Sequence, residues 1–145
     1  MVSVTPAVLL LGAAVGVSLA TTVAPSTALA QPSYPTDDRG FIGTSVRCDA
    51  PRSAVSFGRT AQSLVAICLV PEGHYEYRGA RLGDDAVLVV VAEPTVPGEF
   101  FAQKDGATYT VTAKDLVIRT DEWVRAEPML QFETPPILAV ETPTR

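Results

Sequence analysis

The chain has 145 residues, with 11 Lys and Arg against 16 Asp and Glu and a net charge of −5, so its surface repels phosphate backbones and anionic lipid headgroups. Basic residues such as Arg39, Arg47, Arg52, Arg59, Arg78 and Arg81 fall singly, with no cluster to follow a nucleic acid, and nucleic-acid binding is disfavoured. One histidine and two cysteines without C-x-x-C spacing cannot assemble a zinc site; no calcium-loop or phosphate-loop spacing occurs, and neither a metal nor a cofactor is expected.

The first charged side chain is Asp37. Residues 7–20 are an apolar run, and Ala28-Leu29-Ala30 meets the small-x-small rule of a signal-peptidase site. Residues 1–30 therefore read as a secretory signal peptide and Gln31 as the mature N-terminus, although residues 1–6 hold no Lys or Arg. The rival reading, a retained anchor, needs about 20 consecutive apolar residues; Pro6, Ser18, Thr21, Thr22 and Pro25 interrupt the run. The mature chain is expected outside the cytoplasm, secreted or in the cell envelope, with no membrane span after cleavage. There, Cys48 and Cys68 are expected to form one disulfide, worth roughly 3 kcal/mol for a loop of this length.

Residues 31–43, containing Pro, Asp and Gly with little apolar periodicity, read as a flexible leader, and residues 44–130 as the domain. Val46 and Cys48 alternate with Arg47 and Asp49, as in a half-buried strand. Residues 54–57 alternate again, with Val55 and Phe57 inward. Residues 64–70 are apolar on both faces and suit a central strand covered on both sides. Residues 74–78 alternate, with both tyrosines on one face. Residues 86–92, the most hydrophobic segment after the leader, read as a buried strand. Residues 100–112 carry a Gly-containing turn between two β-rich runs and read as a hairpin. Residues 116–119 and 123–127 pair around Thr120-Asp121-Glu122, and residues 131–145 read as a loosely ordered, Pro-containing tail. No segment keeps a helical period over ten residues or more. The fold class is all-β, a small antiparallel sandwich or barrel of about 7–9 strands with one disulfide.

Catalysis has little support. His74 follows the Pro71-Glu72-Gly73 turn and reads as a surface residue, with no nucleophile motif beside it. Asp84-Asp85 and Asp121-Glu122 are adjacent pairs in turns, where acidic residues are solvated. The segment His74, Tyr75, Glu76, Tyr77, Arg78, with Arg81 close by, combines aromatic and cationic groups of the kind enriched at interface hot spots. His74, Tyr75, Tyr77, Arg78 and Arg81 are therefore the candidate binding residues. The competing reading turns both tyrosines to the core and leaves Glu76 and Arg78 to form cross-strand ion pairs.

The runs Cys48-Asp49-Ala50-Pro51, Ala54-Val55-Ser56-Phe57-Gly58-Arg59-Thr60, Ser63-Leu64-Val65-Ala66-Ile67-Cys68, Tyr75-Glu76-Tyr77-Arg78-Gly79 and Ala107-Thr108-Tyr109-Thr110-Val111 resemble a domain of small exported proteins of mycobacteria and related actinobacteria. Similar segments occur as outer domains of some actinobacterial serine/threonine kinases. The resemblance spans residues 45–129 and brings no activity with it; the chain has none of the kinase motifs. The expected function is a non-enzymatic binding module that recognises an extracellular protein or an envelope component through a sheet face. A secreted enzyme using carboxylates such as Glu76 and Asp84 is the alternative, and requires them to converge. An inhibitor presenting residues 94–98 to a target's cleft is a third reading.

Overall fold

The computed structural model describes residues 34–84 and 86–136, with residues 12, 16 and 23–25 of the N-terminal stretch. The chain divides into two units, Met1–Pro32 and Ser33–Arg145. The signal-peptide reading of residues 1–30 falls almost wholly outside the described residues. None of the described residues is helical, and among them no helix is long and apolar enough to cross a membrane.

The described residues form eleven strands: β1 (Thr36–Asp37), β2 (Gly40–Phe41), β3 (Ala54–Arg59), β4 (Ser63–Leu69), β5 (Tyr75–Arg81), β6 (Val87–Pro94), β7 (Phe100–Lys104), β8 (Ala107–Val111), β9 (Asp115–Arg119), β10 (Val124–Pro128) and β11 (Gln131–Glu133). β1 and β2 pair with each other. The other nine make one antiparallel sheet in the order β10-β9-β8-β7-β6-β5-β4-β3-β11. β3 to β10 form a plain meander, and β11 crosses to the far edge to pair with β3. Only Met129 and Leu130 separate β10 from β11, and so short a link reaches about 11 Å at most. The sheet must therefore curl until its edges approach, which the twist of a wide antiparallel sheet favours. Met129 N donates to Lys114 O and Leu130 N to Arg59 O, stitching the junction. Between sandwich and barrel, the all-β expectation resolves to a curled, barrel-like sheet.

Alternation sends one set of side chains inward. Val65, Ile67, Tyr77, Ala92, Phe100, Ala102, Val111, Leu116 and Ile118 form the enclosed core. β3 carries a bulge between Ala54 and Ser56, and an extra residue reverses the phase of a strand. Val55 consequently packs on the interior cluster while Phe57 lies in a second cluster on the outer face. The expectation that both point inward is corrected by that bulge.

The second cluster forms where the N-terminal segment folds over β3, β4 and β5. Phe41, Val46 and Cys48 pack on Ala54, Phe57, Leu64, Ala66 and Cys68, and the Cys48–Cys68 disulfide, with Cα atoms 5.6 Å apart, fastens cover to strand. Phe41 is fully buried, edge-on to Tyr34 and Phe57 with ring centroids 6.2 and 5.3 Å away. Residues 34–43 are thus a packed layer rather than a flexible leader, because two aromatic rings anchor them. β4 gains the two-sided cover that its sequence requires. β6 does not: the cover stops near Val87, and Val89 and Val91 remain 46% and 60% exposed, which corrects the reading of a fully buried strand. Residues 131–133 are likewise a strand rather than a loose tail, since Phe132 packs on the core; residues 137–145 lie outside the described residues.

Local chemistry accounts for the turns. Asp105 and Gly106 both have positive φ, 50° and 79°, as a two-residue hairpin turn demands. Three other turns repeat one device. Thr60, Thr112 and Thr120 each donate their N–H to the carbonyl three residues on. The same hydroxyls accept N–H groups from Gln62 and Ser63, from Lys114 and Asp115, and from Glu122 and Trp123.

Candidate functional site

At one end of the curled sheet, β5, β6, β8, β9 and β10 surround a cavity of about 440 Å³, lined by Tyr77, Leu88, Tyr109, Ile118, Trp123 and Arg125, with Arg81 and Asp84 among the other lining residues. Tyr77 forms part of the wall and is only 3% exposed. Its ring lies along β5 above Gly79, where an added Cβ would stand 2.3 Å from the Tyr77 hydroxyl. Glycine at position 79 is what gives the ring its room. Tyr109 packs beside it, ring centroids 5.1 Å apart and planes tilted by 34°. Burial foremost, then Tyr109 and the Glu127 carboxylate, pushes the Tyr77 hydroxyl well above the ordinary phenol range.

β10 has reversed polarity. Its alternation exposes Val124 and Ala126 and turns Arg125 and Glu127 inward. Glu127 is 4% exposed, and a buried carboxylate requires partners. Its Oε2 accepts a hydrogen bond of 2.6 Å from Thr60 Oγ1, 67 residues away in sequence. Its Oε1 stands 2.8 Å from Arg125 Nε, a charge contact without hydrogen-bond alignment. The Arg125 guanidinium also lies 5.3 Å from the centroid of the Trp123 ring. Thr60 follows β3 and Glu127 belongs to β10, so this contact joins elements from opposite sides of the rolled sheet.

The five sequence candidates do not come together. Tyr77 and Arg81 line the cavity. Tyr75 packs in the interior edge-on to Phe100, at 5.0 Å between centroids. His74 is exposed beyond the β4–β5 turn and does not line the cavity. Arg78 faces outward and acts as a clamp, donating to both Asp49 carboxylate oxygens at 3.1 and 2.8 Å, to Arg47 O at 2.7 Å and to Glu76 Oε1 at 2.8 Å. Those bonds hold the N-terminal cover on β5, and the Arg78 hydrogen bond, then its charge, holds the Asp49 carboxyl below its usual range. Both tyrosines therefore face the interior, and the Glu76–Arg78 pair lies within one strand rather than across two. Sequence reasoning missed Tyr109, Trp123, Arg125, Glu127 and Thr60. The available signal was β10 itself, where charged residues occupy the phase that apolar ones occupy in the neighbouring strands.

Glu76 and Asp84 do not converge. Glu76 pairs with Arg78 on the outer face, whereas Asp84 lies at the cavity rim and accepts a hydrogen bond from Ala86 N. Among the described residues, no three His, Cys, Asp or Glu side chains gather as metal ligands. A second groove, of about 580 Å³, opens at the other end beside Pro51, Val55, Leu69 and Val70. Compared with family models, curated proteins and solved structures, the chain matches none of them.

Proposed function

We propose that this chain is an exported, non-enzymatic binding module whose ligand seat is the cavity at the β9–β10 end of the curled sheet. The observation that carries this reading is convergence: five strands bring three aromatic rings and two arginines to one concavity, whereas the carboxylates an enzyme would use stand apart. A rigid concave wall with a few placed polar groups on an apolar lining is the usual form of a small-ligand site. The disulfide is compatible with an extracytoplasmic location.

Non-reducing native mass spectrometry of the protein recovered from its host's culture filtrate and envelope tests the reading. A mature mass starting at Gln31 with a small added mass is expected, the addition disappearing in the cavity-filling variant Ala107→Trp. A bare mass in both forms overturns the ligand seat. A second reading rests on the exposed loop between β6 and β7, which is braced by Thr95 N to Glu99 O, Glu99 N to Val96 O and Thr95 Oγ1 to Glu99 Oε1. An added mass of protein size, lost when that loop is altered, would favour the inhibitor.

A further inference from the structure

We propose that the cavity takes a small aromatic monocarboxylate, its anion on the Arg125 guanidinium and its ring against Tyr109. This rests on the reading of the cavity as a ligand seat and adds what the seat selects.

Arg125 is oriented by two partners on different sides of its chemistry: the Glu127 carboxylate at Nε and the Trp123 ring under its plane. Its two terminal nitrogens donate to no protein acceptor among the described residues, and its side chain is 35% exposed and lines the cavity. A planar guanidinium with its terminal donors open matches the two oxygens of a carboxylate. Arg81 lines the same cavity and makes no ion pair among the described residues. Of the carboxylates near the cavity, Glu127 holds Arg125 and Thr60 and Asp84 accepts from Ala86 N, while Asp121 and Glu122, between the lining residues Thr120 and Trp123, are exposed to solvent.

A neutral ligand can offer those arginine donors only uncharged acceptors such as a carbonyl oxygen, whose hydrogen bonds are weaker than those of a carboxylate. A multiply charged anion would be opposed by the chain's net charge of −5. A single negative charge lies between these penalties. The body of the ligand meets Tyr109, Leu88 and Ile118; Tyr109, half-buried against the covered Tyr77 ring, offers an aromatic surface for a stacked or edge-on ring. A volume of about 440 Å³ suits a molecule with one or two rings.

Trp123 is the single tryptophan of the chain, so its fluorescence reports on this cavity alone. The disulfide-intact protein would be titrated with benzoate, phenylacetate and 3-phenylpropionate, and in parallel with the three corresponding amides. At least one acid is expected to give a saturable change, with its amide at least tenfold weaker. Arg125→Lys, which keeps the charge beside Glu127 but loses the planar donor pair, is expected to weaken that acid at least fivefold with an unchanged circular dichroism spectrum. Equal affinity for acid and amide, or an unaffected Arg125→Lys variant, overturns the carboxylate assignment and leaves the seat standing. Silence of Trp123 toward all six compounds overturns the aromatic-carboxylate assignment, and the seat itself then stands or falls on the mass test.

Discussion

Tyr77 illustrates how one buried hydroxyl ties the site to stability. It is 3% exposed, and its raised ionisation point comes chiefly from burial. The folded state therefore keeps the phenol protonated at pH values where the unfolded chain, with an ordinary pKa near 10, releases the proton. Its contribution is fully present below about pH 10 and declines above it, at a limiting slope of about 1.4 kcal/mol per pH unit. Urea unfolding at several pH values from 9 to 11 should show the wild type losing stability faster than Tyr77→Phe. Parallel curves would refute the assignment. Arg78 makes the complementary point: sequence marked it as a binding residue, yet its donors are taken up by Asp49, Glu76 and the Arg47 carbonyl.

At the level of elements, identical turn chemistry has different consequences according to what lies beside it. Thr60 and Thr112 brace equivalent turns, each accepting two backbone N–H groups. Losing such side-chain bonds at Thr112 should cost about 1 kcal/mol. Both hydroxyls also donate to a carboxylate, but Thr112 donates to the part-buried Asp115 of its own turn and Thr60 to the buried Glu127, which would be left short of a donor away from water, adding about 1–3 kcal/mol. Thr60→Val is thus expected to lower the urea midpoint clearly more than Thr112→Val, and equal shifts would mean that the Thr60–Glu127 contact contributes nothing. The hairpins themselves were legible, because alternation and turn residues act within about ten positions. The strand at 131–133 and the β3 bulge were not, because the partners of the first lie 72 or more residues away and the second depends on a register that local sequence does not carry.

For the whole molecule, the covering layer and the curled sheet depend on one cross-link. Cys48 lies in the cover and Cys68 in β4, so the bridge holds Phe41 and Val46 over the outer cluster as well as shortening the unfolded chain's free loop. Replacing both cysteines by alanine should lower stability by roughly 3 kcal/mol. Hydrogen exchange should rise in residues 34–50 before it rises in β7 to β9, as expected when one layer opens separately. Uniform acceleration across the sheet would show instead that cover and sheet unfold as one unit.

Sequence alone determined the all-β class, the pairing of the two cysteines, the two-sided cover of β4, the β7–β8 hairpin and the last strand pair, all of which follow from local periodicity, turn chemistry or a count of two. Tertiary structure decided what covers what. Phe41 and Tyr34 turn a polar-looking leader into a packed layer, the limited reach of that layer leaves Val89 and Val91 exposed, and Met129-Leu130 forces the sheet to curl. The cavity belongs to the same category: Tyr77 and Arg81 could be singled out along the chain, but Tyr109, Trp123, Arg125 and Glu127 meet them only when strands distant in sequence close around a common axis. Alternation tells each strand which residues share a face; only closure determines which faces meet.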